Sequence, residues 1–250
     1  MPASVHLDRG QGPVVVLLHG VGVGPESFAE VAELLEDKYR VIVLARPDGG
    51  SSVGLLESNA DHIASTIEAV GAVGCRIVGV SGGATLGVLI AHRHPELATG
   101  YLLHEPLLGR LAPALHQRFQ AAAAMALASH LATMDVVRGV MGEATWATLG
   151  AEAQARSSAL AARWQTEIAA FAAFDPSVAS LAALARVPVV ASVGGRSGPE
   201  RREVASVLQR LANADLAVVP DAGNAVQLDQ PLAFARLIAM GHVASIGSST

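Results

Sequence analysis

One stretch constrains this chain more than any other: a serine between glycines at the junction of a predicted strand and a predicted helix. Residues 79–83 read Gly-Val-Ser-Gly-Gly, after the short apolar run 76–78 and before the helix-suited run 84–91. This strand–turn–helix context is that of a G-x-S-x-G nucleophile elbow. Because a Cβ would crowd so sharp a turn, Gly79 and Gly83 would let neighbouring backbones pass. The N–H of Gly82 would then point to where an oxyanion forms. The alternative is an ordinary glycine-rich turn before a helix.

Composition excludes several classes of protein. The chain has 250 residues, of which 51% are hydrophobic and 16% charged, so it can bury a large core and is not a disordered protein. Its net charge of -5, without a basic run, argues against a nucleic-acid partner. The single cysteine, Cys75, cannot form an internal disulfide, fits a reducing compartment and is expected to be buried at the start of a strand.

The termini and apolar runs predict a soluble, cytoplasmic protein. Residues 1–8 lack a basic segment followed by an apolar one, so no signal peptide is expected. No run approaches the roughly 18 uncharged apolar residues that a membrane-spanning helix needs, so no membrane partner is expected. A dinucleotide is not expected either, because the spacing of Gly20, Gly22 and Gly24 fails the G-x-G-x-x-G pattern. We expect no cofactor and no metal, with a homodimer as one possible assembly.

Predicted strands and helices alternate along the chain. The strands are expected at residues 14–18, 40–45, 76–78, 101–104, 187–193 and 214–219, and helices at 27–35, 59–70, 84–91, 200–211 and 231–244. Such alternation predicts βαβ units and a mostly parallel, doubly wound sheet. Residues 107–184 are alanine-rich and helical without a strand candidate. The sequence therefore predicts one α/β domain, residues 1–250, with a helical lid at 107–184 above the carboxyl ends of the strands.

Loops that follow four predicted strands would meet at one edge of this sheet, where ligands of α/β proteins bind. Together they resemble the α/β-hydrolase superfamily, over nearly the whole chain. Residues 19–22 (His-Gly-Val-Gly) resemble its oxyanion loop. The resemblance implies that the amides of Val21 and Gly82 face the charge that develops on an attacked carbonyl oxygen, where losing one donor typically costs about 2.7 to 4 kcal/mol. The alternative for residues 19–20 is a plain strand-ending turn.

Glu105 is the candidate acid. The usual position of the acid in the superfamily follows the strand that ends at Val193, but residues 194–197 (Gly-Gly-Arg-Ser) offer no carboxylate. Some branches take the acid from the loop after the previous strand, where Glu105 lies. Residues 104–107 (His-Glu-Pro-Leu) resemble zearalenone-type lactone hydrolases, in which the matching glutamate is the triad acid. The alternative is a strand-end carboxylate that caps the first helix of the lid.

Two tryptophans in the lid extend this resemblance. Residues 146–150 (Trp-Ala-Thr-Leu-Gly) and the spacing from Arg156 to Trp164 are similar to the same lactone hydrolases, in which the second tryptophan lines the substrate pocket. The resemblance implies that Trp164 contacts substrate. Its helical spacing with Ile168 and Phe171 fits a core residue equally well, and Trp146 is assigned to the core.

Asn224 departs from the superfamily pattern, which has a histidine at this position in a Pro-x-x-Gly-His loop. Here residues 220–224 read Pro-Asp-Ala-Gly-Asn. An asparagine can orient a hydroxyl group but cannot accept its proton near pH 7. Losing the base of a triad costs on the order of 10⁶ in turnover and leaves roughly 10³ to 10⁴ over water.

No other histidine is an obvious substitute. By strand alternation His104 is expected to point away from Glu105. The remaining candidates are expected at the surface or in packing: His62, His92, His94, His116, His130 and His242.

Three explanations of Asn224 stay open: an engineered loss of the base, a natural enzyme that uses Ser81 and Asn224 as hydrogen bonders, and a ligand-binding protein. The prediction is a serine hydrolase in which Ser81 attacks and Glu105 orients residue 224. The substrate would be a small hydrophobic ester or lactone, because the lid is apolar and no basic cluster is visible. The alternatives are a lyase, isomerase or cyclase, or an inactive binding protein. Arg46 is expected to be a structural hydrogen bonder.

Overall fold

A seven-stranded sheet lies at the centre of the computed structural model, which describes residues 3–47 and 51–246, with side chains up to residue 241. The strands are β1 (Ser4–Arg9), β2 (Val14–Leu18), β3 (Arg40–Ala45), β4 (Cys75–Val80), β5 (Ala98–His104), β6 (Val189–Gly194) and β7 (Asp215–Val219). Their order in the sheet is β1-β3-β2-β4-β5-β6-β7. Only β1 runs antiparallel to its neighbour among these strands, so the predicted mostly parallel α/β sheet is confirmed.

Helices cover both faces of this sheet. They are α1 (Ala29–Leu35), α2 (Leu55–Ala69), α3 (Gly82–Arg93), α4 (Pro113–Ala126), α5 (His130–Met141), α6 (Glu143–Thr148), α7 (Ala151–Ala159), α8 (Ala161–Ala173), α9 (Val178–Ala182), α10 (Pro199–Ala212), α11 (Val226–Asp229) and α12 (Pro231–Ile246). Ile63 and Ile67 of α2 belong to the core on one face, and Phe234 and Ile238 of α12 to the core on the other. Because both faces are covered, the central strands β2, β3 and β4 are nearly continuous apolar runs.

The sequence missed β1, because this edge strand has mostly exposed side chains and no apolar run. The short helix α11 was also not predicted. Other elements begin or end within a few residues of the prediction, and Cys75 is buried at the start of β4 as expected. A loop after the second predicted strand is expected at residues 46–52, and its positions 48–50 lie outside the described residues, as does the low-complexity tail at 247–250.

Residues 107–184 form a helical insertion between β5 and β6, and they include α4 to α9. No strand occurs among them, in agreement with the alanine-rich sequence. Within the described part of the chain, no single helix is long and apolar enough to cross a membrane. One bent pair, Ala161–Ala173 with Val178–Arg186, reaches the required length and composition together, but its two helices meet at 100°.

The sheet also fixes where the loops of interest meet. β2 and β4 are neighbours, although the chain visits β3 between them. Chain order therefore reverses between these two strands, which is the switch point at which α/β sheets bind ligands. The loop after β2 begins at His19 and the loop after β4 is Ser81, so both lie at this point.

Candidate active site

Ser81 occupies a strained turn between β4 and α3. Its φ of 53° and ψ of -116° place it in a region that non-glycine residues rarely adopt. A Cβ built on Gly79 would lie 2.5 Å from the backbone of Ala84, and one on Gly83 would meet the carbonyl oxygen of Leu18. Both positions therefore require glycine for close backbone approach, and the turn has the tight geometry predicted from the sequence.

The loop after β2 lies directly against Ser81. A Cβ on Gly20 would lie 3.2 Å from Cβ of Ser81 and 3.8 Å from its Oγ. Within the described residues, the N–H groups of Val21 and Gly82 donate no hydrogen bond. Gly82 is the first residue of α3, where backbone N–H groups have no partner inside the helix. Two unpaired amides beside a strained serine can receive a carbonyl oxygen.

Glu105 is a buried carboxylate whose two oxygens are both occupied. Its Oε1 accepts hydrogen bonds from the Gly194 N–H (2.9 Å) and the Ser197 hydroxyl (2.5 Å). Its Oε2 accepts from Nδ2 of Asn224 (2.9 Å) and lies 3.3 Å from Nη1 of Arg201. Burial alone would raise the pKa of this carboxyl group, but the Arg201 charge and the hydrogen bonds to Oε1 outweigh it and lower the pKa. The side chain therefore stays ionised.

Asn224 is oriented by this carboxylate. Only the NH₂ end of its amide can donate to Glu105, so Oδ1 faces away from the acid. Neither Oδ1 of Asn224 nor Oγ of Ser81 makes a hydrogen bond to any described residue. Ser81 and Glu105 follow adjacent strand ends, since the Ser81 N–H donates to the His104 carbonyl oxygen (2.8 Å). The structure thus brings Glu105 and Asn224 into contact at the end of β5, the strand next to β4 in the sheet.

The expectation that His104 points away from Glu105 is wrong. Its Nε2 lies 3.8 Å from Oε1 of Glu105, because the strand ends at His104 and Glu105 adopts a left-handed φ of 50°, so strand alternation no longer applies. The His104 Nε2–H donates to the Gly223 carbonyl oxygen (3.1 Å), and Nδ1 accepts from the Ser192 hydroxyl (3.0 Å). Burial lowers the pKa of His104, so its ring stays neutral and supports the loop before Asn224.

The other candidate histidines are expected at the surface or in packing. None of those with described side chains hydrogen-bonds to Ser81, Glu105 or Asn224, and the side chain of His242 lies outside the described residues. Among the residues that the structure describes, no three His, Cys, Asp or Glu side chains are grouped so that they could hold a metal ion.

A cavity of about 460 Å³ reaches Asn224 from the surface, and we call it the Asn224 cavity. It lies between α4, α5 and α6 of the insertion and the loops after β6 and β7. One wall is apolar and includes Phe119, Val136 and Met141. The other carries arginines that are paired with acids: Arg118 with Glu200, Arg196 with Asp229 (2.8 Å) and Arg201 with Glu105 (3.3 Å). Each of these positive charges is therefore balanced by a carboxylate, and the sequence did not predict this pairing.

Apolar side chains of the insertion cover the elbow. A Cβ on Gly82 would lie 2.6 Å from Cζ of Phe171, which belongs to α8. A Cβ on Gly22 would lie 2.6 Å from Cγ1 of Val137, which belongs to α5. The loop after β2 and the first turn of α3, which contain the two unpaired amides, are thus packed directly beneath the insertion.

Trp164 is 1% exposed and lies behind the loop after β2. Its indole N–H donates to the Ser157 carbonyl oxygen (2.8 Å), and the Ser157 hydroxyl donates to the Gly22 carbonyl oxygen (2.7 Å). The tryptophan lines a cavity of about 290 Å³ beside Gly22 and Gly24, and is not among the residues that line the Asn224 cavity. Its contact with substrate stays a prediction. Trp146 is partly buried against the core, as expected.

Comparison with known proteins gives one family match. The model described as "Alpha/beta hydrolase family" matches residues 15–237, which include every residue of the cluster above.

Individual relatives either match only part of the chain or match nearly all of it at a sequence identity of 20% or less. The pimeloyl-[acyl-carrier protein] methyl ester esterase of Chromobacterium violaceum is 38% identical over 87 residues, which are 35% of this chain and about a third (34%) of that protein. A thermophilic esterase from Thermogutta terrifontis has a TM-score of 0.76 at 20% identity, over 97% of this chain and 93% of that one. The enol-lactonase of Burkholderia xenovorans LB400 has a TM-score of 0.75 at 16% identity, over 96% of both chains. At such identities the two structures show a shared fold.

Proposed function

This chain belongs to the alpha/beta hydrolase family, and we propose that its site is a serine hydrolase site for a small, hydrophobic ester or lactone. One observation carries the proposal: Asn224 donates to Oε2 of Glu105 at 2.9 Å. In a Ser–His–acid triad the base donates one N–H to the acid and takes the serine proton on its other nitrogen. Asn224 occupies the position of that base and makes the first of its two contacts.

Each residue of the proposed site has its own role in the reaction. Oγ of Ser81 attacks the carbonyl carbon, and the amides of Val21 and Gly82 receive the negative oxygen. Collapse of the tetrahedral intermediate breaks the C–O bond, and the alcohol leaves with the proton that the serine loses, carried between them by solvent when Asn224 is present. Water then attacks the acyl group on Ser81, which releases the carboxylic acid and returns a proton to Oγ. Oδ1 of Asn224 can accept a hydrogen bond from the Ser81 hydroxyl but cannot hold its proton. We therefore expect slow turnover from the chain with Asn224.

The proposed substrate class rests on three supports. Relatives in sequence and structure include esterases and an enol-lactonase. The local resemblance of residues 104–107 to zearalenone-type lactone hydrolases favours a lactone, and the cover by Phe171 and Val137 favours an apolar group next to Ser81.

A second candidate is a non-hydrolytic enzyme, such as a lyase, isomerase or cyclase, or a protein that binds a ligand without converting it. Arg201 favours it, because this guanidinium lies 3.3 Å from Glu105 and balances its charge without an imidazolium at position 224. In that candidate Ser81 and Asn224 act only as hydrogen-bonding groups.

Restoring the base separates the two candidates. We expect Asn224→His to raise hydrolysis of short p-nitrophenyl esters, or of one member of a macrolactone panel, by at least about 10³-fold. The rise should disappear when Ser81→Ala is added. Asn224→Gln, which also cannot take the proton, is the matched control and should give no rise. If Asn224→His gives no rise on a folded protein, the hydrolase proposal is wrong and the second candidate is favoured.

A further inference from the structure

A buried arginine lies behind the loop after β2. Arg46 follows β3, and its side chain is 1% exposed. Its guanidinium donates to the carbonyl oxygens of His19 and, at 3.2 Å, of Gly20. It also donates to Oε2 of Glu167 at 2.6 Å. Glu167 belongs to α8 of the helical insertion, and its own side chain is 4% exposed.

These contacts fix the orientation of one peptide group. The described residues contain no cis peptide bond, and in a trans peptide the C=O and N–H point in opposite directions. The Gly20 carbonyl oxygen accepts from Arg46 and also from Nδ1 of His19 at 2.9 Å. Burial lowers the pKa of His19 well below its usual value, so the ring is neutral with its proton on Nδ1. The N–H of Val21 therefore points away from Arg46.

The opposite orientation would harm the proposed chemistry. If the peptide between Gly20 and Val21 turned over, its carbonyl oxygen would face the charge that an N–H should stabilise. Glycines make such a rotation easy, and Gly22 already has a φ of 88°. A cation held behind the loop opposes the rotation, because turning the Gly20 carbonyl away would leave a buried guanidinium short of an acceptor.

We propose that Arg46 is a positioning residue that holds the Val21 N–H in its donor orientation, and that Glu167 makes this orientation depend on packing of the helical insertion. The inference rests on the proposed function, in which Val21 stabilises an oxyanion. Glu167 is the counter-ion that lets Arg46 stay buried, and Nε of Arg163 binds the other oxygen of the same carboxylate at 3.0 Å. Because Glu167 and Arg163 both belong to α8, movement of α8 away from the sheet would separate both side chains from Arg46.

A kinetic experiment tests the catalytic consequence. Removing Arg46 alone would leave Oε2 of the buried Glu167 carboxylate without its cation, so the variant is Arg46→Met/Glu167→Met, which replaces the pair by apolar side chains. In the Asn224→His background we expect kcat to fall about 10²-fold with KM within about twofold, as when one oxyanion donor is lost. Arg46→Lys should recover part of kcat. Arg93→Met removes a surface ion pair with Asp61 and is the control that should change neither constant.

A crystal structure tests the geometry without any need for activity. In the Arg46→Met/Glu167→Met variant with Asn224 intact, we expect the peptide between Gly20 and Val21 to be turned over or present in two orientations. An unchanged orientation would overturn the inference, whether or not kcat falls. Failure of Asn224→His to hydrolyse any ester would instead overturn the proposed function, and the peptide orientation would still decide the role of Arg46.

Discussion

The charge of Glu105 is balanced by a guanidinium and not by the residue at position 224. Arg201 lies 3.3 Å from Oε2, the same oxygen that Asn224 contacts at 2.9 Å. In a working triad the carboxylate stabilises the imidazolium that forms when the base takes a proton. An arginine beside the acid weakens that stabilisation, so a histidine at position 224 would be a poorer base than in a triad without such an arginine.

This leads to a prediction for the imidazole that Asn224→His introduces. Adding Arg201→Gln removes a nearby positive charge. Loss of this repulsion stabilises the protonated ring, so the pKa of the imidazole should rise by about one unit. The measurement is a ¹H–¹³C NMR titration of that ring. Arg202→Gln, at an exposed neighbouring arginine, is the control and should leave the pKa unchanged. If the imidazole pKa is the same in Asn224→His and in Asn224→His/Arg201→Gln, Arg201 does not act on this position.

The site residues predicted from the sequence all carry a local signal, whereas Arg201, which the structure adds to the candidate site, carries none. Ser81 stands in a glycine pattern, and Glu105 and Asn224 stand in loops that follow strands. Arg201 is in the charged first turn of α10, which looks like an ordinary solvent-exposed face. Arg201 contacts Glu105, which is far from it in the sequence, and no periodic pattern of residues predicts such a pair.

At the level of elements, the helical insertion covers the elbow. Its helical character was predictable because residues 107–184 lack strand-forming runs. Its division into α4 to α9 was not, because alanine favours helix throughout and gives weak boundaries. That Phe171 of α8 packs against Gly82 depends on how the insertion folds back over the sheet.

The contact between α8 and α3 predicts a coupled pair of substitutions. Gly82→Ala places a Cβ 2.6 Å from Phe171, and we expect it to lower the free energy of unfolding by about 1 to 3 kcal/mol despite the higher helix propensity of alanine. In a Phe171→Leu background the loss should shrink. Urea denaturation measures both. Gly139→Ala in α5, where nothing lies within 4 Å of the new Cβ, is the control and should stabilise the protein slightly. A Gly82→Ala protein as stable as its parent would contradict the packing.

At the scale of the whole molecule, the doubly wound sheet was the most predictable feature. The apolar runs of β2, β3 and β4 are buried on both faces, so pattern and packing agree. At the strand ends this sheet holds two fully buried histidines, His19 and His104, whose pKa values are both lowered, first by burial. Each ring therefore takes up a proton at a lower pH in the folded protein than in the unfolded chain.

These two histidines predict a loss of stability in mild acid. Because their folded-state pKa values lie below the unfolded value of about 6.5, their contribution is complete above that pH and is lost as the pH falls below it. The slope is about 1.4 kcal/mol per pH unit for each histidine. Urea denaturation between pH 7 and pH 5 should show this decline, and His104→Gln should reduce its slope by about half. Stability that is flat over this range would contradict neutral, buried rings.

The most direct test of the account is covalent labelling of the serine. A p-nitrophenyl phosphonate is incubated with the Asn224→His protein, with the chain that keeps Asn224, and with Asn224→His/Ser81→Ala, and peptides are mapped by mass spectrometry. We expect one phosphonyl group on Ser81, formed at least about 10³-fold faster with Asn224→His than with Asn224, and none without Ser81. Labelling at another residue, or equal rates with histidine and asparagine at position 224, would contradict it.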